Sequence, residues 1–161
     1  MTRDNARELA VHIVFGAAKA HADAAEFCES FFSEEHYGSL KEENEVYSEL
    51  PKEADMAYIR DVVGGTFAHL DEIDAKIAAS TRGWTLSRIS GTALAVMRVA
   101  VYEIFYRDDV PAASAINSAV EIDKGYDEAD TVAFVNGVLG GVLRSDAAEA
   151  ETKEDAPAAA E

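Results

Sequence analysis

Basic residues are scarce in this chain. Its 161 residues hold 14 Lys and Arg against 31 Asp and Glu, for a net charge of −17. A body this acidic repels nucleic acid at long range, so any nucleic-acid contact needs a local basic patch or a partner that brings positive charge. The acids after Ser145 (Asp146, Glu149, Glu151, Glu154, Asp155, Glu161) are only part of the excess, and the rest of the chain is strongly acidic without them. Cysteine is nearly absent. Cys28 stands alone, which excludes an intramolecular disulfide and fits a reducing compartment. No apolar run approaches the roughly 20 residues that span a bilayer. The N-terminal TRDNARELA lacks the basic stretch and apolar core of a signal peptide. The expectation is a cytoplasmic protein without membrane contact.

Enzyme motifs are also missing. Gly64-Gly65 and Gly140-Gly141 lack the strand and the Lys-Ser/Thr of a phosphate loop. His12, His21, His36 and His69 are scattered, and His69 with Asp71 and Asp74 fits no common zinc spacing. Cys28 has no neighbouring base to lower its pKa. No catalytic residue, metal ligand or cofactor is expected.

What the chain does have is helical periodicity. The stretch Thr92 to Arg107, TALAVMRVAVYEIFYR, is apolar apart from Arg98 and Glu103 between Ala93 and Tyr106. A surface helix shows a polar face, so this one reads as a helix surrounded by others. Arg3 to Ala20 repeats Ala6, Ala10, Ile13, Val14 and Ala17 at helical spacing, and Phe27 and Phe31 mark a short second helix. Ser33 to Ala54 is acidic and broken by Pro51, which predicts a mobile connection with at most a helical turn near Lys41 to Tyr47. Ile59, Val63, Thr66, Leu70, Ile73 and Ile77 predict one long helix over Asp55 to Ala79, with Gly64 and Gly65 admitting a neighbour. Ser80 to Gly91 is a joint in which Trp84, Leu86 and Ile89 dock while Arg82 and Arg88 stay near water. Ala112 to Lys124 is helical after Pro111, and a last helix carries Phe134, Val135, Val138, Leu139 and Val142. The fold class is all-α: a compact bundle of about seven helices in two helical subdomains. The N-terminal helices cover about 1–79 and the C-terminal helices 80–144. Residues 145–161 read as an acidic disordered tail.

Polar groups inside the apolar C-terminal half stand out: Arg98, Asn117 and Asn136. Each must be hydrogen-bonded or reach the surface.

The same stretch resembles the NusB family of bacterial transcription antitermination factors. The likeness is carried by Arg98-Val99-Ala100-Val101-Tyr102-Glu103, Val110-Pro111, Ile116-Asn117-Ser118-Ala119-Val120-Glu121, Lys124, and Phe134-Val135-Asn136-Gly137-Val138-Leu139. Upstream, Ala6-Arg7-Glu8-Leu9-Ala10, Tyr58-Ile59-Arg60-Asp61, Trp84, Leu86 and Arg88 agree. The resemblance covers about residues 3 to 144. It implies a seven-helix fold of two subdomains without enzymatic activity. It implies binding of boxA-type RNA together with the small-subunit ribosomal protein NusE, acting on the transcription elongation complex, notably in ribosomal RNA operons. Carried over by position, the RNA contacts are Arg3, Arg7, Arg98, Asp130, Phe134 and Asn136. Arginines would hold phosphates, Phe134 would stack on a base and Asn136 would read a base edge. The NusE side would use Phe15, Thr92 and Ala93. This chain departs from the family in three places. Asp4 and Asn5 interrupt the N-terminal arginines, Ser118 replaces a Glu, and Thr92-Ala93 replace an acidic position. These departures and the acidic body favour an alternative, a NusB-like protein-interaction module with weak or no RNA binding. NusB-like domains also occur fused to RNA cytosine methyltransferases, but a chain of this length leaves no room for a catalytic domain.

Overall fold

The computed structural model describes the backbone of residues 1–155 and the side chains of residues 1–147. Among these it holds eight α-helices and no strand. Helix α1 (Arg3–Ala20) starts where the Thr2 hydroxyl accepts the Asn5 amide at 3.1 Å, and stops where His21 turns left-handed at φ 50°. Helix α2 (Ala24–Phe31) is capped by Asp23 and α3 (Glu34–Ser39) by Ser33. Helices α4 (Glu53–Ala68) and α5 (Leu70–Ala79) follow, then α6 (Gly91–Tyr106), α7 (Ala112–Asp123) and α8 (Ala129–Asp155). The Ser90 hydroxyl caps α6 by accepting the Ala93 amide at 3.1 Å.

Helix α6 is the centre of the bundle. It packs against α1, α4, α5, α7 and α8. Its residues Ala93, Ala95, Val96, Met97 and Val99 to Glu103 are buried, so the near-absence of a polar face has the expected cause. Around it lie Leu9, Ile13 and Val14 of α1, Ile59, Val62 and Val63 of α4, Ile73 and Ile77 of α5, and Val135 and Leu139 of α8, in one continuous core. Each aliphatic side chain fully buried there contributes about 1.5–3 kcal/mol of transfer free energy. The N-terminal and C-terminal helices therefore share a core across the boundary near Ala79.

Four expectations change. The Ser33–Ala54 segment is not a mobile connection. It carries α3 and a 3₁₀ turn at Glu45–Ser48, and Tyr37 and Val46 are buried in the core. The Tyr37 hydroxyl donates to the Glu49 carbonyl at 2.7 Å, so a few aromatic anchors hold an otherwise acidic stretch. The long helix breaks at His69 (φ −112°, ψ 22°), which ends α4 and begins α5. Of the two mid-helix glycines only Gly65 admits a neighbour. A Cβ there would run into the Tyr102 ring, whereas one on Gly64 would meet nothing within 4 Å. Finally, α8 continues past Arg144 through Asp155, a stretch rich in the helix formers Ala and Glu. Residues 156–161 of the expected tail lie outside the described residues. Among the described residues, no helix is long and apolar enough to cross a membrane.

Candidate nucleic-acid and partner interfaces

Asp130 and Phe134 lie one turn apart near the start of α8, and the segment between α5 and α6 brings Trp84 against them. The Trp84 and Phe134 rings are 5.9 Å apart between centroids and inclined at 56°. Trp84 is 54% exposed, so it does not dock into the core as its size suggested. Arg88, Ile89, Ser90, Asp130 and Thr131 complete a cleft of about 290 Å³ with these two rings. Aromatic faces beside a guanidinium, open to solvent, suit a flat unpaired base and its phosphate.

The other expected RNA contacts do not converge on this cleft. Asn136 is exposed on a different face of α8, in a shallow depression with Val120, Lys124 and Asp127. Arg98 is spent within the fold, where Nε and Nη2 each donate to the Asp74 carboxylate at 2.9 Å and tie α6 to α5. That pairing also takes Asp74 out of the His69 cluster, while His69 stacks on Tyr106 at 4.0 Å. Arg7 is 5% exposed. Its Nε and Nη2 donate to Glu103 at 2.5 and 3.0 Å, and its Nη1 donates to Asp4 at 2.7 Å. The Tyr58 hydroxyl donates to Glu103 at 3.0 Å, and burial with the nearby Glu103 charge pushes the Tyr58 phenol well above its ordinary pKa. Both guanidinium groups are thus engaged within the fold, Arg7 buried and paired with two carboxylates and Arg98 half-buried and paired with one. Arg3 does face solvent. It lies 4.1 Å over the Tyr58 ring and 3.5 Å from Asp109.

On the partner side, Phe15 and Thr92 line one depression of about 380 Å³ with His12, Tyr47 and Tyr126. Phe15 lies over Gly91, where a Cβ would stand 2.5 Å from its ring. Ala93 is fully buried beneath this surface and offers no side chain to a partner. A polar network that the sequence did not reveal backs the depression. The Tyr126 hydroxyl donates to Glu8 at 2.8 Å and so accepts from Asn44 Nδ2 at 2.9 Å and His12 Nε2 at 2.5 Å. His12 Nδ1 is then the acceptor for the Tyr47 hydroxyl at 2.6 Å. Burial holds the His12 pKa down at about 4, so the imidazole is neutral at ordinary pH. Nearby, the buried Asp123 carboxylate has no donor among the described residues. Desolvation and the facing Asp127 raise its pKa to about 7.

The fold and these two surfaces define an all-helical binding module. The NusB family model matches residues 4–144, and the chain belongs to the NusB family. A transcription antitermination protein NusB from Acetivibrio thermocellus is 45% identical over 103 residues, covering 64% of this chain and 71% of that protein. The Clostridium acetobutylicum protein of the same name is 34% identical over 90% of this chain and 97% of its own length. T. maritima NusB superposes with a TM-score of 0.74 at 23% identity, over 89% of this chain and 92% of that one. A solved complex of antitermination factors NusB and NusE with dsRNA contains a chain that matches with a TM-score of 0.70 at 19% identity, over 89% of this chain and 96% of that one. Both structures share the fold described above.

Proposed function

We propose that this protein is a cytoplasmic transcription antitermination factor that binds boxA-type RNA together with NusE, serves the transcription elongation complex in ribosomal RNA operons, and catalyses no reaction. The observation that carries the RNA reading is the solvent-open Trp84–Phe134 pair with Arg88 beside it, on a chain whose net charge is −17. The protein acts as a positioning device. Phe134 stacks on an unpaired base, Asp130 accepts from a base or sugar donor, Arg88 and Arg3 hold phosphates, and Asn136 contacts a nucleotide on the neighbouring face of α8. Phe15 and Thr92 form the surface for NusE, and the bound partner offsets the long-range repulsion of the acidic body.

The test is binding of a boxA-type RNA with and without NusE across a salt series, with a scrambled RNA as control. Specific binding that requires NusE and weakens about 10-fold in Phe134→Ala supports the reading, since base–aromatic stacking contributes at about that level. NusE binding without RNA preference supports the protein-interaction module, which is favoured by the enclosure of Arg7 and Arg98 in internal ion pairs.

A further inference from the structure

The cleft beside Phe134 does not end at Trp84. Beyond the aromatic pair a second depression of about 580 Å³ opens between the end of α5 and α8. Ser80, Thr81 and Arg82 form one wall, and Gly137, Gly141 and Arg144 the other.

Three observations distinguish this surface. The first is arginine pairing. Five of the eight arginines, Arg3, Arg7, Arg60, Arg98 and Arg107, are paired with carboxylates. Arg82, Arg88 and Arg144 have no carboxylate partner among the described residues, and they flank the Trp84–Phe134 pair on both sides. Carboxylates outnumber cations about two to one in this chain, so chance placement would leave few arginines uncompensated and would not gather them in one place. The second is backbone conformation. Arg82 sits at φ 52° and Gly83 at φ 94°, while the Thr81 hydroxyl lies 2.9 Å from the Ala78 carbonyl and 2.8 Å from that of Trp84. This left-handed turn leaves the Arg82 side chain exposed at the rim of the depression. The third is the floor. A Cβ on Gly137 would meet nothing within 4 Å, so packing does not require glycine in that exposed turn of α8, where it weakens the helix. Its absent side chain leaves room for a ring or sugar to approach the helix backbone.

We propose that this second depression is a further nucleotide subsite, which continues the path of a single RNA strand from Phe134 across Trp84 to Arg82 and Arg144. The inference rests on the RNA-binding reading above. Trp84 offers one face to a base, and the guanidinium groups on the two walls hold the adjoining phosphates. A single strand fits because its bases are free to stack on exposed rings while its backbone meets cations on both sides.

The experiment compares two RNAs in the presence of NusE, a boxA-type core and the same core with uridine flanks on both ends. The flanked RNA binds more tightly than the core. Arg82→Gln with Arg144→Gln removes that advantage and reduces the log–log salt slope by about 1.4, at roughly 0.7 per phosphate contact for single strands. It leaves core binding unchanged. Trp84→Ala weakens the flanked RNA about 10-fold. Circular dichroism of each variant confirms folding, and since Arg82, Trp84 and Arg144 are exposed the helical signal is retained. If the double variant binds flanked RNA with the wild-type affinity and slope while Phe134→Ala weakens both RNAs, the second subsite is refuted and the RNA reading stands. If wild-type protein binds neither RNA, both fall. Tighter capture of polyglutamate than of flanked RNA also overturns the proposal.

Discussion

Arg7 and Glu103 stand 96 residues apart in the chain and meet inside the bundle at 2.5 Å. Glu103 is fully buried, and Tyr58 supplies a second donor to it. The contact joins α1 to α6, with α4 closing over it. Removing one partner of such a pair strands a charge out of water and costs about 3–5 kcal/mol. Glu103→Ala is therefore expected to lower unfolding free energy by that amount in urea titration. A combined Arg7→Met, Glu103→Leu variant is expected to lie much nearer wild type. A single-variant loss below about 1 kcal/mol would mean that the pair is solvated.

His12 contributes to stability in a pH-dependent way. Its native pKa of about 4 lies below the ordinary value of 6.5, so between those values the unfolded chain binds more protons than the native one. The His12 contribution is lost as pH falls from about 6.5 towards 4. His12→Gln is expected to flatten that part of the melting-temperature profile. An unchanged slope would place the acid sensitivity elsewhere.

Asp123 acts in the opposite sense. Its native pKa of about 7 exceeds the ordinary carboxylate value, so the native state holds the extra proton between about 4 and 7. Stability from this group falls as pH rises through that window, because the ionised form faces Asp127 without a donor. Asp123→Asn is expected to raise the melting temperature at pH 8 by about 2–4 °C per kcal/mol recovered, with little gain at pH 4. Equal gains at both values would rule out ionisation as the cause.

Adjacent glycines in α4 are expected to respond in opposite directions. Gly64→Ala adds a methyl group to open space and should gain about 0.5–1 kcal/mol from helix propensity. Gly65→Ala drives a methyl group into the Tyr102 ring and should lose about 1–3 kcal/mol. Thermal unfolding of the two variants side by side checks the pair, and the same sign in both would contradict the packing described.

The helices and the central place of α6 were readable because apolar spacing along one chain segment reports what surrounds it. Glu103 shows the limit of that reading. In sequence it interrupts an apolar run, and only Arg7 and Tyr58, distant along the chain, explain how a charge sits at the centre of the bundle. Arg7 and Arg98, expected to face RNA, are likewise engaged in long-range ion pairs, since a local pattern does not show which carboxylate an arginine will meet. Tyr37 and Val46 anchor a segment whose acidic composition masked them. The Trp84 surface was missed because a large aromatic in an apolar neighbourhood suggests burial. Its exposure follows from the turn at Arg82 and Gly83, whose left-handed geometry periodicity does not encode.

Trp84 is the one tryptophan in the chain, and more than half of its surface meets water. The indole emission of the whole protein therefore comes from a single place. Unfolding will alter it little compared with a core indole, because that ring already sees solvent in the native state. Anything that settles over Phe134 or between Arg82 and Arg144 will change the ring's surroundings directly. The chain thus carries an unlabelled optical gauge of its own aromatic cleft, reporting occupancy far more strongly than foldedness.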